Sequence, residues 1–196
     1  MYLYYIHTTD LCDENQEWYR EFKKQYVCEC KVKKPGAETK AFDVHLVEHP
    51  GRAALNATMF VNIARRDFLE LFSSEVKESL NLGDVYLENG ELLEAYVSYA
   101  GKNHLPIRGS KKSRFFRECL DCGSQVYLPE YPYYVLKRSL RDQILYAAKP
   151  LSGLIVAEEL IERVDRKEWK GIDIIKIPVL DEPRDGLDHL EDERIR

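Results

Sequence analysis

Hydrophobic and polar positions along the chain change period several times, and each change marks an element. Residues 2–6 (YLYYI) are aromatic and β-branched, which predicts an N-terminal strand. Over 13–26 a charged segment carries Trp18, Tyr19, Phe22 and Tyr26 at steps of one, three and four, so a helix with an aromatic stripe on the core is expected. Pro35-Gly36, within the loop 33–40, reverses the chain. Residues 41–48 alternate as a half-exposed strand does, and 57–63 read as another short one. Phe68, Leu69, Leu71, Phe72, Val76 and Leu80 recur at helical spacing, predicting one or two helices over 64–80 with a break at Ser73-Ser74.

The second half reads mainly as β-structure. Residues 84–87 and 92–99 flank Asn89-Gly90, the turn signal of a β-hairpin. Shorter strands are expected at 125–128 and 133–137. Leu160, Ile161 and Val164 share a face if 154–164 is a helix, Gly171 permits a reversal, and 172–179 is β-rich. A helix, a glycine and a strand in that order imply a helix packed across a sheet ending in 174–179. The expected fold class is α+β, a mixed or mostly antiparallel sheet with packed helices and a zinc-knuckle subsite. Residues 1–180 are expected to form one domain. The tail 181–196 has seven acids to three arginines and few apolar residues, the composition of a flexible segment.

Composition narrows the class of protein. At 196 residues with 44% hydrophobic and 11% aromatic positions, the chain can bury a core without help, so a bound metal would act as a local staple. Lysines and arginines number 29 against 34 acids, a net charge of −5 that supplies no global attraction to a polyanion. The first residues lack a basic start followed by an apolar run, and no segment is apolar for the length a bilayer requires. A cytoplasmic protein is expected. Five cysteines, an odd number, fit that compartment better than a fully bridged secreted fold.

Four of these cysteines stand in two pairs, Cys28-Glu29-Cys30 and Cys119-Leu120-Asp121-Cys122-Gly123. Zinc favours four thiolates at about 2.3 Å in a tetrahedron, and a tight turn aims two sulfurs at one ion. The second pair, followed by glycine, has the form of a zinc knuckle; the first is one residue tighter. Closing the long loop between the pairs costs entropy that grows only logarithmically with length, so one structural Zn(2+) on Cys28, Cys30, Cys119 and Cys122 is the expected site. Free buried thiols and a redox pair are the other readings. The strand expected after Gly123 speaks against the redox geometry, which wants a helix there. Cys12 is expected to be structural. Lys31, Lys33, Lys34, Arg114 and Arg117 flank the pairs and would offset the negative charge of four thiolates around a divalent ion.

Signatures of catalysis are missing: no phosphate-binding glycine loop, dinucleotide fingerprint, nucleophile elbow or HExxH motif occurs. His7, His45, His49, His104 and His189 show no spacing that builds a triad, Asp173 reads as a solvent-facing strand residue, and Glu158, Glu159 and Glu162 as a solvated face. No catalytic residue is assigned and the protein is not expected to be an enzyme. The basic run from Lys102 to Arg117, with Phe115 and Phe116, has the cation and aromatic mixture that grips single-stranded nucleic acid, but anchoring the knuckle explains it as well.

Cys119-Leu120-Asp121-Cys122-Gly123, the stretch AKPLSGLIVAEE at 148–159 and EWKGIDII at 168–175 resemble the double-CxxCG motif family, best known from myxobacteria and akin to immunity proteins of polymorphic toxin systems. The likeness spans 119–179. Its second motif maps onto Cys119, Cys122 and Gly123; the first retains only Cys28 and Cys30, with Lys31 in place of the glycine. The resemblance implies an immunity-type protein that binds and neutralises a cognate toxin; the acid-rich C-terminal third would suit a basic nuclease, and the charge balance and hydropathy speak against nucleic acid or membrane as partner. A zinc-containing nucleic-acid-binding or regulatory protein, and an enzyme with an unrecognised active site, are the alternatives.

Overall fold

The computed structural model describes residues 1–8, 10–110, 112–115, 119–123, 127–149, 151–165 and 167–183. The chain opens with β1 (Tyr2–His7) and α1 (Gln16–Tyr26), followed by β2 (Val44–Leu46), β3 (Leu55–Ala57) and β4 (Asn62–Arg65). Two short helices, α2 (Arg66–Glu70) and α3 (Ser73–Ser79), lead into the hairpin β5 (Leu80–Leu87) and β6 (Leu92–Gly101). Next come β7 (His104–Pro106), β8 (Arg114–Phe115), β9 (Tyr127–Leu128), β10 (Val135–Leu136) and β11 (Leu145–Lys149). β12 (Leu154–Ala157), α4 (Glu158–Ile161) and β13 (Asp173–Leu180) complete the fold.

The strands form a six-stranded sheet in the order β10-β13-β1-β12-β11-β7, a five-stranded sheet in the order β2-β5-β6-β4-β3, and the small pair β8-β9. Pairing is antiparallel except at β10-β13, β11-β7 and β2-β5. The fold is therefore α+β with mixed, mostly antiparallel sheets packed against helices. No helix among the described residues is long and apolar enough to cross a membrane.

Side-chain alternation explains the layering. On β11 and β12, Leu145, Ala147, Leu154 and Val156 enter the core shared with α2, α3, α4 and the five-stranded sheet. Tyr146, Ala148 and Ile155 point the other way, into a second core with Leu3, Tyr5, Ile107 and Ile177. The five-stranded sheet is likewise covered on both faces: Ala64 and Val97 join the shared core, while Ile63 and Tyr96 pack with Phe22 of α1. A strand buried on both faces loses the apolar-polar alternation of a half-exposed one. For that reason 154–157 (LIVA) is a strand and not the first turn of the expected helix over 154–164. The helix shrinks to Glu158–Ile161, where Leu160 is buried against β1 and β12.

Other boundaries move for local reasons. Residues 10–15 are a strap, not the start of a helix: Cys12 N–H donates to the Ala57 carbonyl at 2.9 Å, and Val47 N–H to that of Asp13 at 2.9 Å. The strap thus ties both edge strands of the five-stranded sheet, β3 and β2, which limits stray edge pairing. α1 starts only at Gln16, where the Asn15 side-chain oxygen accepts from the amides of Glu17 and Trp18 at 3.0 Å each. The expected strand 57–63 is a hairpin turn, with Thr58 Oγ1 accepting from Phe60 N and Val61 N. Of 41–48 only Val44–Leu46 pairs, and the break between α2 and α3 falls at Leu71-Phe72, just before Ser73-Ser74. The hairpin at Asn89-Gly90 and the final strand stand as expected. Residues 124–126 and 184–196, and with them most of the acidic tail, lie outside the described residues.

Candidate metal centre

The first cysteine pair is built by the way α1 ends. Val27 leaves the helix in extended conformation, its amide still bonded to the Lys23 carbonyl at 3.1 Å, and pairs with Lys33 across a tight reversal. Within that reversal Cys28 N–H donates to the Val32 carbonyl and Lys31 N–H to the Cys28 carbonyl, both at 2.9 Å. The Lys34 ammonium donates to the free helix-end carbonyls of Lys24 and Gln25 at 3.2 and 3.0 Å, which anchors the outgoing arm. The second pair caps the ribbon β8-β9, with Gly123 N–H donating to the Cys119 carbonyl at 2.8 Å.

Lys31 and Gly123, each the residue after the second cysteine of its pair, have φ of 64° and 67°. Both turns therefore use the same left-handed step to aim two sulfurs inward. That step suits glycine, and at Lys31 it is taken by a residue with a Cβ. The tighter spacing of the first pair thus does not change how its turn closes.

The two turns meet. Cys28 Sγ lies 3.7 Å from Cys119 Sγ, Cys30 Sγ lies 3.7 Å from Cys122 Sγ, and all four sulfurs fall within 4.8 Å of one another. A disulfide would need about 2.05 Å, and all five cysteines are free thiols. A tetrahedron with metal–sulfur bonds of about 2.3 Å has edges of about 3.8 Å, so the spacing fits a four-thiolate metal ion. Without a cation the arrangement is unfavourable for thiolates: burial first, and the adjoining thiols after it, push Cys30 up to about 12, against a backbone hydrogen bond at Val32. At Cys28 a backbone hydrogen bond at Cys30 works downwards, and burial with the Cys122 and Cys119 thiols outweighs it. A divalent ion reverses that balance by ionising its thiol ligands outright. The cluster is thus able to chelate a metal ion, and four sulfurs leave it no open coordination position.

Cations gather at the site, partly from an unexpected source. Arg20, Lys23 and Lys24 of α1 and Lys34 line a hollow of about 720 Å³ against Cys28, and outnumber the two acids there, Glu29 and Asp121. Helical spacing carried that information in the sequence, but only the position of the cysteines at the helix end gives it meaning. Arg117 lies outside the described residues, as does Lys111. Arg108 is only 6% exposed, which removes it from any surface strip made by the basic run 102–117.

Cys12 stands apart in the core beneath α1, its thiol pushed up to about 11 by burial and then by Asp10, Glu48, Asp13 and Glu14. His7 stacks on Tyr5, His45 on Tyr86, and His49 meets Tyr96 edge-on, so these rings lie at separate places; His189 is outside the described residues. His104 borders a cleft of about 370 Å³ together with Lys33, Glu38 and Lys149. Spacing in the sequence does not group these four, because the turn after Cys30, the following loop and the β7-β11 edge bring them together. No protein-family model matches the chain, and no curated protein matches it.

Proposed function

We propose that Cys28, Cys30, Cys119 and Cys122 hold one structural zinc ion, and that the protein acts by binding a protein partner and not by catalysis. The observation that carries the zinc reading is the convergence of four sulfurs from two distant turns to within 4.8 Å. Zinc is the ion of choice for a closed four-thiolate tetrahedron, and the flanking Lys23, Lys24 and Lys34 offset its negative charge. The partner class comes from the resemblance to the double-CxxCG motif family, which implies a cytoplasmic immunity protein for a cognate toxin. The net charge of −5 supports a basic toxin, since opposite fields steer association.

Two measurements test the reading. Protein purified from zinc-replete cells should carry one zinc per chain, and cobalt exchanged into it should show the absorption of a tetrahedral thiolate site. Cys119→Ser combined with Cys122→Ser should abolish both, and a wild-type chain without metal would end the zinc reading. Co-expression with the toxin encoded beside the gene should restore growth, and growth arrest despite soluble expression would end the immunity reading.

A further inference from the structure

We propose that the cleft beside the cysteine turns, where the two large sheets meet, binds a small organic anion with an apolar body. It encloses about 370 Å³, within the range of small-ligand sites. Phe60 from the β3-β4 turn and Leu151 from the β11-β12 turn supply apolar wall, and Lys33, Glu38, His104 and Lys149 supply the polar groups.

Those polar groups are unequally satisfied. Lys149 Nζ lies 2.8 Å from Glu38 Oε2, so the one carboxylate of the cleft among the described residues already has its cation. The Lys33 side chain, among the described residues, has neither a hydrogen bond nor an ion pair; its ammonium sits 5.4 Å from the centroid of the Phe42 ring. Burial lowers its pKa to about 8, with Glu38 acting in the opposite direction, and it remains mostly cationic at neutral pH. A half-buried ammonium without a counter-ion is costly, and an incoming carboxylate or phosphate removes that cost.

His104 borders the same cleft. Its Nε2 lies 3.2 Å from the Glu38 carbonyl oxygen. A carbonyl only accepts, so in the neutral ring favoured by burial Nε2 carries the proton. Nδ1 is then a buried acceptor with no partner. The cleft therefore presents one ammonium, that of Lys33, without a counter-ion among the described residues.

The test is a heteronuclear NMR titration of the full chain with benzoate, phenyl phosphate and uncharged benzyl alcohol, zinc content being assayed on the same sample. Either anion should give saturable shifts around Lys33, His104 and Lys149 with a Kd of about 1 mM or tighter, and benzyl alcohol should bind at least about tenfold more weakly. Lys33→Met should weaken the anions by about tenfold, and Lys33→Arg should keep them within about threefold, since only the charge is essential. The proposal is overturned by equal binding of benzyl alcohol, by full affinity in Lys33→Met, by shifts elsewhere on the molecule, or by no saturation up to about 10 mM. The comparison of charged and uncharged probes on the unmodified chain decides even if Lys33→Met does not fold. A chain that binds no probe yet retains its zinc overturns this site and leaves the metal reading intact.

Discussion

Lys31 occupies a conformation that costs a residue with a Cβ about 1–2 kcal/mol relative to glycine. Its side chain is exposed and its backbone bond to Cys28 does not depend on it. Lys31→Gly should therefore raise the urea unfolding free energy by about 1 kcal/mol, and Lys31→Val should lower it by a similar amount. Cys12 offers a test of a different kind. Its thiol is raised from 9.0 to about 11, so the folded state favours the protonated form. The stability this gives is fully present below pH 9 and is lost as pH rises towards 11. Thermal unfolding followed across that window should show an alkaline decline that Cys12→Ala reduces, and Cys12 should react last with iodoacetamide at neutral pH. The four cysteines able to hold a metal are legible residue by residue, because cysteine in closely spaced pairs is a chemical signature. The cleft residues were not, because lysine, glutamate and histidine are ordinary surface residues until a fold buries them.

Elements were legible where a single face decides their pattern. α1 shows its stripe because only Phe22 and its neighbours meet the core, with Trp18 and Phe22 stacked 4.9 Å apart. The hairpin at Asn89-Gly90 follows from turn chemistry alone. β12 is not legible as a strand because both of its faces are buried, and four apolar residues in a row carry no period. Gly171, expected to permit a reversal, does more than that. At φ 70° it lies so close to the strap and the segment before β3 that a Cβ would fall 2.5 Å from Ala53 Cβ and 2.6 Å from Asp10 Oδ2. Gly171→Ala should thus lower the unfolding free energy by about 2–4 kcal/mol, backbone strain and overpacking together, as measured by chemical denaturation.

For the molecule as a whole, the cysteine cluster lies outside the core shared by the two large sheets. Phe68, Phe72, Val97 and Leu154 belong to the core shared by both large sheets, and none of the four clustered cysteines does. Chelation should therefore leave the far-UV circular dichroism close to that of the loaded protein, while trypsin gains cleavage at Lys31, Lys33, Lys112 and Arg114. Protection of those bonds after chelation, equal to that of the loaded form, would contradict a stapling role. Taken alone, the sequence determined the α+β class, the one-sided helix, the hairpin, and the cysteines fit to hold a metal. Each of these depends on residue type and on spacing along a few turns of chain, where local geometry is nearly independent of context. Only the tertiary structure decided that two turns ninety-odd residues apart share one point, that an N-terminal strand lies at the middle of a sheet, and that Lys33 is half-buried over the Phe42 ring without a counter-ion among the described residues. Those are consequences of long-range packing, in which burial on a second face erases the periodicity from which a single chain can be read.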